Sequence, residues 1–509
     1  MSKSNKRNIS IVMIITIISK CLGFVRDMVL ANYYGTSDVT DAFFVSQTIP
    51  EFLFSLVVQA ISVGFIPIFM LIKENGGKEK ANTFTNNILK LCILLSVALI
   101  VVVNIFAQEI VFIFASGFQG DKAALTIEFT RIIVFSMVFR ITVSVYSAFL
   151  NANGSFVKPA LNGVVLDIVS IISIVISSVT KSTVLVYGII FATFLQFVML
   201  FTSVIEEKPL ISISLKNIID DDVKKIIRML LPVVLGVGSS QINVLADRTM
   251  ASAIPGAISS LNYANKTNNV VENIIILSLA TVVFPLFSKN IAKNDRVSFK
   301  HNVQKSFDVV SFCMIPCAFF FFACSKEIIS VVFARGAFGF NEIESTSIAM
   351  KYYSMGLVSL SYNIILTRAL YALKKVSTVS CISCFSVALN ILFNFFLKPL
   401  MGIGGLALAT SISTVAATFP LILCLQKETG RLHFLRKSEF LKSLLSSASM
   451  IIVVLTVKRL FSVDSAILSL IISVILSGSM YFITQLLQKS AVLNEGMKLL
   501  KNLRRHKPG

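Results

Sequence analysis

The stretch Ser19-Lys20-Cys21-Leu22-Gly23-Phe24-Val25-Arg26-Asp27, continuing through Thr40-Asp41-Ala42-Phe43-Phe44 to Ile49-Pro50-Glu51, sets five charged residues inside two consecutive apolar segments. On insertion scales a charge at the centre of a bilayer helix costs ~2.5–3.5 kcal/mol, so such a cluster calls for a wet or paired interior. The first expectation is a polar cavity within a membrane protein. The plainer alternative is that some of these side chains sit at helix ends and reach the interface along their apolar stems. Asp41 is open to both readings, whereas Lys20 lies near the middle of its segment.

Composition agrees with a membrane-embedded chain. The 509 residues are 55% hydrophobic and only 14% charged, with a mean hydropathy of +0.83. A water-soluble globule carries roughly 25% charged residues. Apolar runs long enough for a spanning helix, which needs ~20 residues, recur along the whole length. They lack the strict alternation of barrel strands. The first run, Ile9–Tyr33, is longer than a signal-peptide core and contains charges, so it is expected to stay as the first helix.

The pattern predicts an all-α polytopic membrane protein with about fourteen spans, near 9–33, 42–72, 86–116, 127–150, 157–178, 183–204, 227–254, 258–287, 307–334, 346–372, 378–400, 403–426, 443–461 and 465–488. Gln108-Glu109 and Lys326-Glu327 interrupt the third and ninth spans. The net charge of +20 gathers in alternate loops and in the tail, a distribution that places both termini in the cytoplasm and argues against nucleic acid as the reason for it. The basic tail is expected to be solvated or to meet lipid headgroups.

The halves also resemble each other. Gly64-Phe65-Ile66-Pro67-Ile68-Phe69 is answered by Val282-Val283-Phe284-Pro285-Leu286-Phe287, and Arg26-Asp27 by Asp247-Arg248. Ala148-Phe149-Leu150-Asn151-Ala152 is answered by Ala369-Leu370-Tyr371-Ala372-Leu373. An offset of about 220 residues after six helices returns the chain to the same side, which implies parallel repeats flanking a transport path. The expected layout is an N-lobe over 1–204, a cytoplasmic linker over 205–226, a C-lobe over 227–426, and two further helices with a basic tail over 427–509.

Enzymatic readings find little support. His301, His433 and His506 fall in predicted loops or the tail, no Walker-type phosphate loop is present, and Cys381-x-x-Cys384 lies inside an apolar run. Two constellations remain. Lys20, Arg26, Arg248 and Lys266 form a candidate cationic interior for an anionic group such as a pyrophosphate. Asp27, Asp41, Glu51 and Ser259 are its candidate supporting or gating residues. For Arg26-Asp27 and Asp247-Arg248 the alternative is ion pairing that holds helices together. Asp247, Asn390, Asn394 and Thr410 form the second group, whose one carboxylate and neutral oxygens suit a monovalent cation. Hydrogen bonding between helices by the same amides is the competing reading.

Several of these blocks resemble the MurJ (MviN) lipid II flippases of the multidrug/oligosaccharidyl-lipid/polysaccharide exporter superfamily. They are Ser19-Lys20-x-Leu22-Gly23-Phe24-x-Arg26-Asp27, Thr40-Asp41-Ala42-Phe43-Phe44-Val45, Ile49-Pro50, Phe65-Ile66-Pro67, Tyr263-Ala264-Asn265-Lys266 and Ala334-Arg335-Gly336-Ala337-Phe338. The resemblance implies two six-helix lobes, two added helices whose groove takes a polyprenyl tail, and alternating access around a cationic cavity. It further implies a bacterial cytoplasmic membrane protein that flips undecaprenyl-pyrophosphate-linked peptidoglycan precursor, without a catalytic centre or organic cofactor. Coupling is expected to a monovalent cation such as Na+ or to the membrane potential, in a monomer contacting membrane lipids, with other cell-wall synthesis proteins as candidate partners. Lys20 and Lys266 stand where the family usually has arginine, and Phe54 replaces a third arginine. Those departures leave another polyprenyl-linked saccharide as the alternative cargo. A drug/cation antiporter fits less well, because it would want an acidic cavity.

Overall fold

The computed structural model describes residues 3–206, 220–430, 437–460 and 466–505. Most of the expected linker, residues 207–219, lies outside the described residues, as do 431–436, with His433, and 506–509, with His506. Among the described residues there is no β-strand, and seventeen α-helices follow one another along the chain.

The first eight are α1 (Lys3–Tyr34), α2 (Asp38–Ala60), α3 (Ile66–Ile105), α4 (Ala107–Phe114), α5 (Gly120–Ile133), α6 (Ser136–Ala152), α7 (Val157–Val179) and α8 (Val184–Glu206). They are followed by α9 (Asp221–Ala251), α10 (Ala257–Ala292), α11 (Arg296–Phe333), α12 (Phe340–Ala372), α13 (Val376–Met401), α14 (Ile403–Thr429), α15 (Lys437–Leu460), α16 (Ala466–Leu487) and α17 (Ala491–Arg505). Nine are long and apolar enough to cross a membrane, and the α5–α6 pair, bent by 43°, makes a tenth candidate. Helices α1, α2, α9 and α12 are also longer than the ~20 residues a span needs but carry ionisable residues such as Lys20, Asp41, Asp247 and Arg368.

Breaks fall where local chemistry demands them. Ser37 caps α2, its Oγ accepting the Thr40 N–H at 3.4 Å, after Gly35 turns the chain with φ of +56°. A π-helical turn, Ile61–Phe65, separates α2 from α3, and Pro67 falls in the first turn of α3, where its missing N–H costs no helical bond. Gly77 (φ 78°, ψ 175°) then divides α3, so the second predicted span ends and the third begins inside what runs on as one element. The third span breaks again at Phe106, and Gln108-Glu109 belong to the short α4. Helix α11 breaks at Cys324, two residues before Lys326.

The described chain divides into two compact units. The first takes Met1–Ser259 and Arg335–Gly339, the second Ser260–Ala334 and Phe340–Gly509. Packing therefore groups α9 with the first unit. In that unit α1 lies along α7, and α3, α6 and α8 enclose a core of Phe65, Phe69, Phe84 and Phe149. The Phe65 and Phe69 rings stack at 5.6 Å and Phe149 meets Phe69 edge-on. In the second unit α10, α11, α12 and α14 surround Phe287, Phe299, Phe307 and Tyr362. There α15 and α16 pack on α11, with the Tyr481 hydroxyl donating to the Phe312 carbonyl at 2.7 Å.

Candidate functional site

Helix α1 approaches α7 through small residues. A Cβ on Gly163 would lie 2.0 Å from Oγ of Ser19, and one on Gly23 would lie 3.4 Å from Asp167. This closeness lets Arg26 reach both helices. Its Nη2 donates to Oδ1 of Asp27 at 2.9 Å and its Nη1 to Oδ1 of Asp167 at 3.0 Å. The Arg26 side chain is only 21% exposed and both carboxylates are buried. Arg26 is thus the centre of an ion triad in which two carboxylates oppose one guanidinium. Asp167 is not among the candidates drawn from the sequence, because nothing local links positions 141 residues apart. Lys20, two turns earlier, is exposed within its unit.

Asp41 has a different setting. Its side chain is fully buried at the first turn of α2, although a carboxylate there was also open to reaching the interface. Oδ1 accepts the Ser259 N–H at 2.9 Å and the Ser259 hydroxyl at 2.7 Å. Oδ2 accepts the Gly256 N–H at 3.1 Å and the Lys122 ammonium at 2.7 Å. The carboxylate therefore caps the start of α10, where free N–H groups and the positive end of the helix dipole favour an anion. Gly256 sits at φ of +68°, and a Cβ there would come 2.9 Å from the Thr36 carbonyl, so the turn needs glycine. Lys122, which also pairs with Asp38 at 2.9 Å, was invisible to the sequence reading.

Neighbouring contacts reinforce that corner. The Ser252 hydroxyl accepts the Gly117 N–H at 2.9 Å, and Thr249 donates to the Ile113 carbonyl at 2.7 Å. Arg248 lies 6.0 Å from the Phe44 ring centroid and donates to the Ile258 carbonyl at 3.3 Å, so here it braces the same turn. The Ala334-Arg335-Gly336-Ala337-Phe338 stretch docks on the end of α1: the Ala337 N–H donates to the Asn32 carbonyl at 2.8 Å, and Gly336, at φ of +56°, has no room for a Cβ against that carbonyl. Glu51 is 58% exposed on its side chain and pairs with Arg140 at 3.4 Å. Phe54 packs against the apolar clusters of α3 and α6.

Between α13 and α14 the second unit is polar without charge. Asn390 and Asn394, one turn apart on α13, are buried. Asn394 donates to Oδ1 of Asn390 at 2.9 Å, Asn390 to the Thr410 hydroxyl at 3.1 Å, and Thr410 to the Leu406 carbonyl. Three of the four residues proposed for a cation thus form one chain between α13 and α14. Asp247 belongs to the first unit, where Asn243 donates to it at 3.4 Å. Among the described residues no group of three His, Cys, Asp or Glu stands ready for a metal. Lys266 is exposed on α10, between Asn265, hydrogen-bonded to Asn269, and Asn268, which donates to the Met350 carbonyl of α12 at 3.3 Å.

Residues outside the predicted constellations also hold charge. Glu439, buried at the start of α15, accepts from Lys442, from the Ser490 hydroxyl at 2.9 Å and from the Ala491 N–H at 3.2 Å, which ties α15 to the first turn of α17. Lys305 of α11 bonds Glu495 of α17 and draws that carboxyl below its ordinary value. Lys458 pairs with Glu327 at 2.7 Å and donates to the Ala323 carbonyl, which the break at Cys324 helps to free.

Known proteins of this kind share both the sequence and the fold. The family model described as lipid II flippase MurJ matches residues 30–504. A probable lipid II flippase MurJ of Buchnera aphidicola subsp. Baizongia pistaciae is 29% identical over 411 residues, covering 79% of each chain. The lipid II flippase MurJ of Burkholderia cenocepacia is 26% identical over 423 residues, covering 81% of this chain and 82% of that one. In structure, a lipid II flippase MurJ in an inward closed conformation aligns with a TM-score of 0.81 at 24% identity, over 93% of this chain and 97% of the other. An inward-facing multidrug-resistance transporter of the MATE family aligns at 0.71 and 13% identity, over 81% and 95%, a likeness of fold alone. The chain therefore belongs to the MurJ lipid II flippase family.

Proposed function

We propose that this chain flips lipid II, moving the undecaprenyl-pyrophosphate-linked peptidoglycan precursor between leaflets of the bacterial cytoplasmic membrane. The observation that carries the reading is the family match from residue 30 to residue 504, since it spans the helices of both units. The work required is a path for a pyrophosphate and its sugars through a medium that penalises charge. Lys20 and Lys266, exposed on α1 and α10, would supply the point charges for the pyrophosphate oxygens. Arg26 is already engaged by two carboxylates and would shape and neutralise the lining, with Asp27 and Asp167 as its partners.

Asp41 with Ser259 would act in gating, because its four accepted hydrogen bonds hold the start of α10 and must be released for that helix end to move. Asp247, Asn390, Asn394 and Thr410 remain the candidates for a coupling cation, with the membrane potential as the other source of drive. Both termini in the cytoplasm and a monomeric state complete the reading. Phe54, packed in an apolar cluster in place of the usual arginine, is the observation that favours a second cargo, a differently decorated polyprenyl-linked saccharide.

The test is complementation. A cell depleted of its own lipid II flippase should resume growth when this chain is expressed. Protein present in the membrane without growth would overturn the lipid II assignment, and rescue of a strain lacking a different polyprenyl-saccharide flippase would support the second cargo.

A further inference from the structure

Helix α6 carries a guanidinium that neither the cationic interior nor the gating residues include. Arg140 has five N–H donors, and among the described residues one is engaged: Nη1 donates to Oε1 of Glu51 on α2 at 3.4 Å. That bond is longer than the roughly 2.7–3.2 Å of an ordinary one. The Nε–H of Arg140 is buried without an acceptor, so the pair leaves the guanidinium poorly satisfied. Arg26 is the contrast, with buried carboxylates at 2.9 and 3.0 Å.

The partner is held as loosely. The Glu51 side chain is 58% exposed against 20% for Arg140, so the pair opens at the surface of the first unit. Glu51 also stands within electrostatic reach of Arg26, which puts both guanidiniums in one neighbourhood. The helix faces around the pair are polar. Ser144 and Ser147 follow Arg140 at i+4 and i+7 on α6, and Ser55 and Gln59 follow Glu51 at i+4 and i+8 on α2, so each helix shows one polar stripe. All four are at least partly exposed in this unit. Because α6 belongs to a candidate span, a stripe of this kind with an ion pair at its head faces a wet path rather than lipid tails.

We propose that Arg140 is an anion-receiving residue of the first unit and that Glu51 is its placeholder: a diphosphate displaces the carboxylate and takes the guanidinium in a two-bond fork. The swap replaces one long bond to a solvated carboxylate with two charge-assisted bonds to phosphate oxygens, and it leaves Glu51 to water. Lysine could offer only a point charge there, so the fork makes Arg140 the residue that selects for phosphate geometry. The inference rests on the lipid II reading for the source of the diphosphate, a polyprenyl-linked lipid, and on the first unit alone for the site.

The test measures binding of undecaprenyl pyrophosphate to the full chain in nanodiscs, together with the melting temperature of each variant. Arg140→Gln should weaken binding by about tenfold or more, the worth of one charge-assisted bond. Glu51→Gln should tighten it by up to about fivefold, because it removes a competing carboxylate whose exposed pair is worth no more than that. Arg140→Lys should fall between the wild type and Arg140→Gln. A pair that only holds α2 to α6 gives the opposite sign for Glu51→Gln, a lower melting temperature with binding weakened as in Arg140→Gln. That result, or unchanged binding by folded Arg140→Gln, would overturn the proposal. If Arg140→Gln fails to fold, Arg140→Lys and Glu51→Gln decide by the same signs, one weaker and one tighter. Inorganic pyrophosphate should bind more weakly than the lipid, and equal binding would make the free anion the ligand and overturn the lipid source. A wild type that binds with these signs but does not flip lipid II would count against the lipid II reading and leave the Arg140 site standing.

Discussion

Two regions handle polarity inside apolar helices in opposite ways. Around α1 and α2 the first unit uses full charges, each opposed: Arg26 by Asp27 and Asp167, Asp41 by Lys122 and the N–H groups at the start of α10. Between α13 and α14 the second unit uses neutral amides and hydroxyls passed from one helix to the next. A buried charge is expensive to strand, whereas a bond between neutral groups in a membrane interior contributes only a little. The charged region should therefore be brittle to single substitutions and the amide seam forgiving.

The largest expected effect is at Asp41. Asp41→Ala leaves Lys122 with Asp38 alone and the Gly256 and Ser259 N–H groups without their acceptor, which should cost about 3 kcal/mol. Thermal unfolding of the purified protein checks this, and a variant as stable as the wild type would remove Asp41 from the cap. Next comes Arg26→Gln, expected to cost about 1.5–3 kcal/mol because the two carboxylates lose their shared donor. Adding Asp167→Asn should recover much of that loss if the triad is structural, and recovery of folded protein without transport would separate its structural part from a role in the cavity.

Much of this was legible in the sequence, for physical reasons. Length and apolarity of runs report directly on bilayer thickness, so most predicted spans reappear as helices of matching extent, α7 (Val157–Val179) and α8 (Val184–Glu206) among them. Local interruptions were readable too: the breaks at Phe106 and Cys324 stand beside Gln108-Glu109 and Lys326-Glu327. Partnerships across the chain were not. Asp167 meets Arg26 and Lys122 meets Asp41 through helix packing that no local spacing encodes. Asn390, Asn394 and Thr410 were found as a group because two of them are one helical turn apart.

In the forgiving region, Asn390→Ala should lower stability by only about 0.6 kcal/mol, as interhelical hydrogen bonds in membranes average. A loss several times larger would mean that the amide chain does more than join α13 to α14. The smallest effect belongs to the exposed Lys305–Glu495 pair. Its carboxyl titrates below its unfolded value, so its contribution is present above about pH 4.3 and fades as pH falls through the folded value. Lys305→Ala should therefore change stability by no more than ~0.5 kcal/mol near neutrality, with the difference shrinking in acid.

The central claim is that this chain moves lipid II with the help of lysines on α1 and α10. Its most direct test is flipping of lipid II by the purified protein in proteoliposomes, comparing the wild type with the Lys20→Gln/Lys266→Gln double variant at equal amounts of folded protein. The wild type should flip lipid II, the double variant should lose most of that activity, and Lys20→Arg/Lys266→Arg should keep it. Full flipping by the glutamine double variant would contradict the role of the two lysines, and no flipping by folded wild type would contradict the function itself.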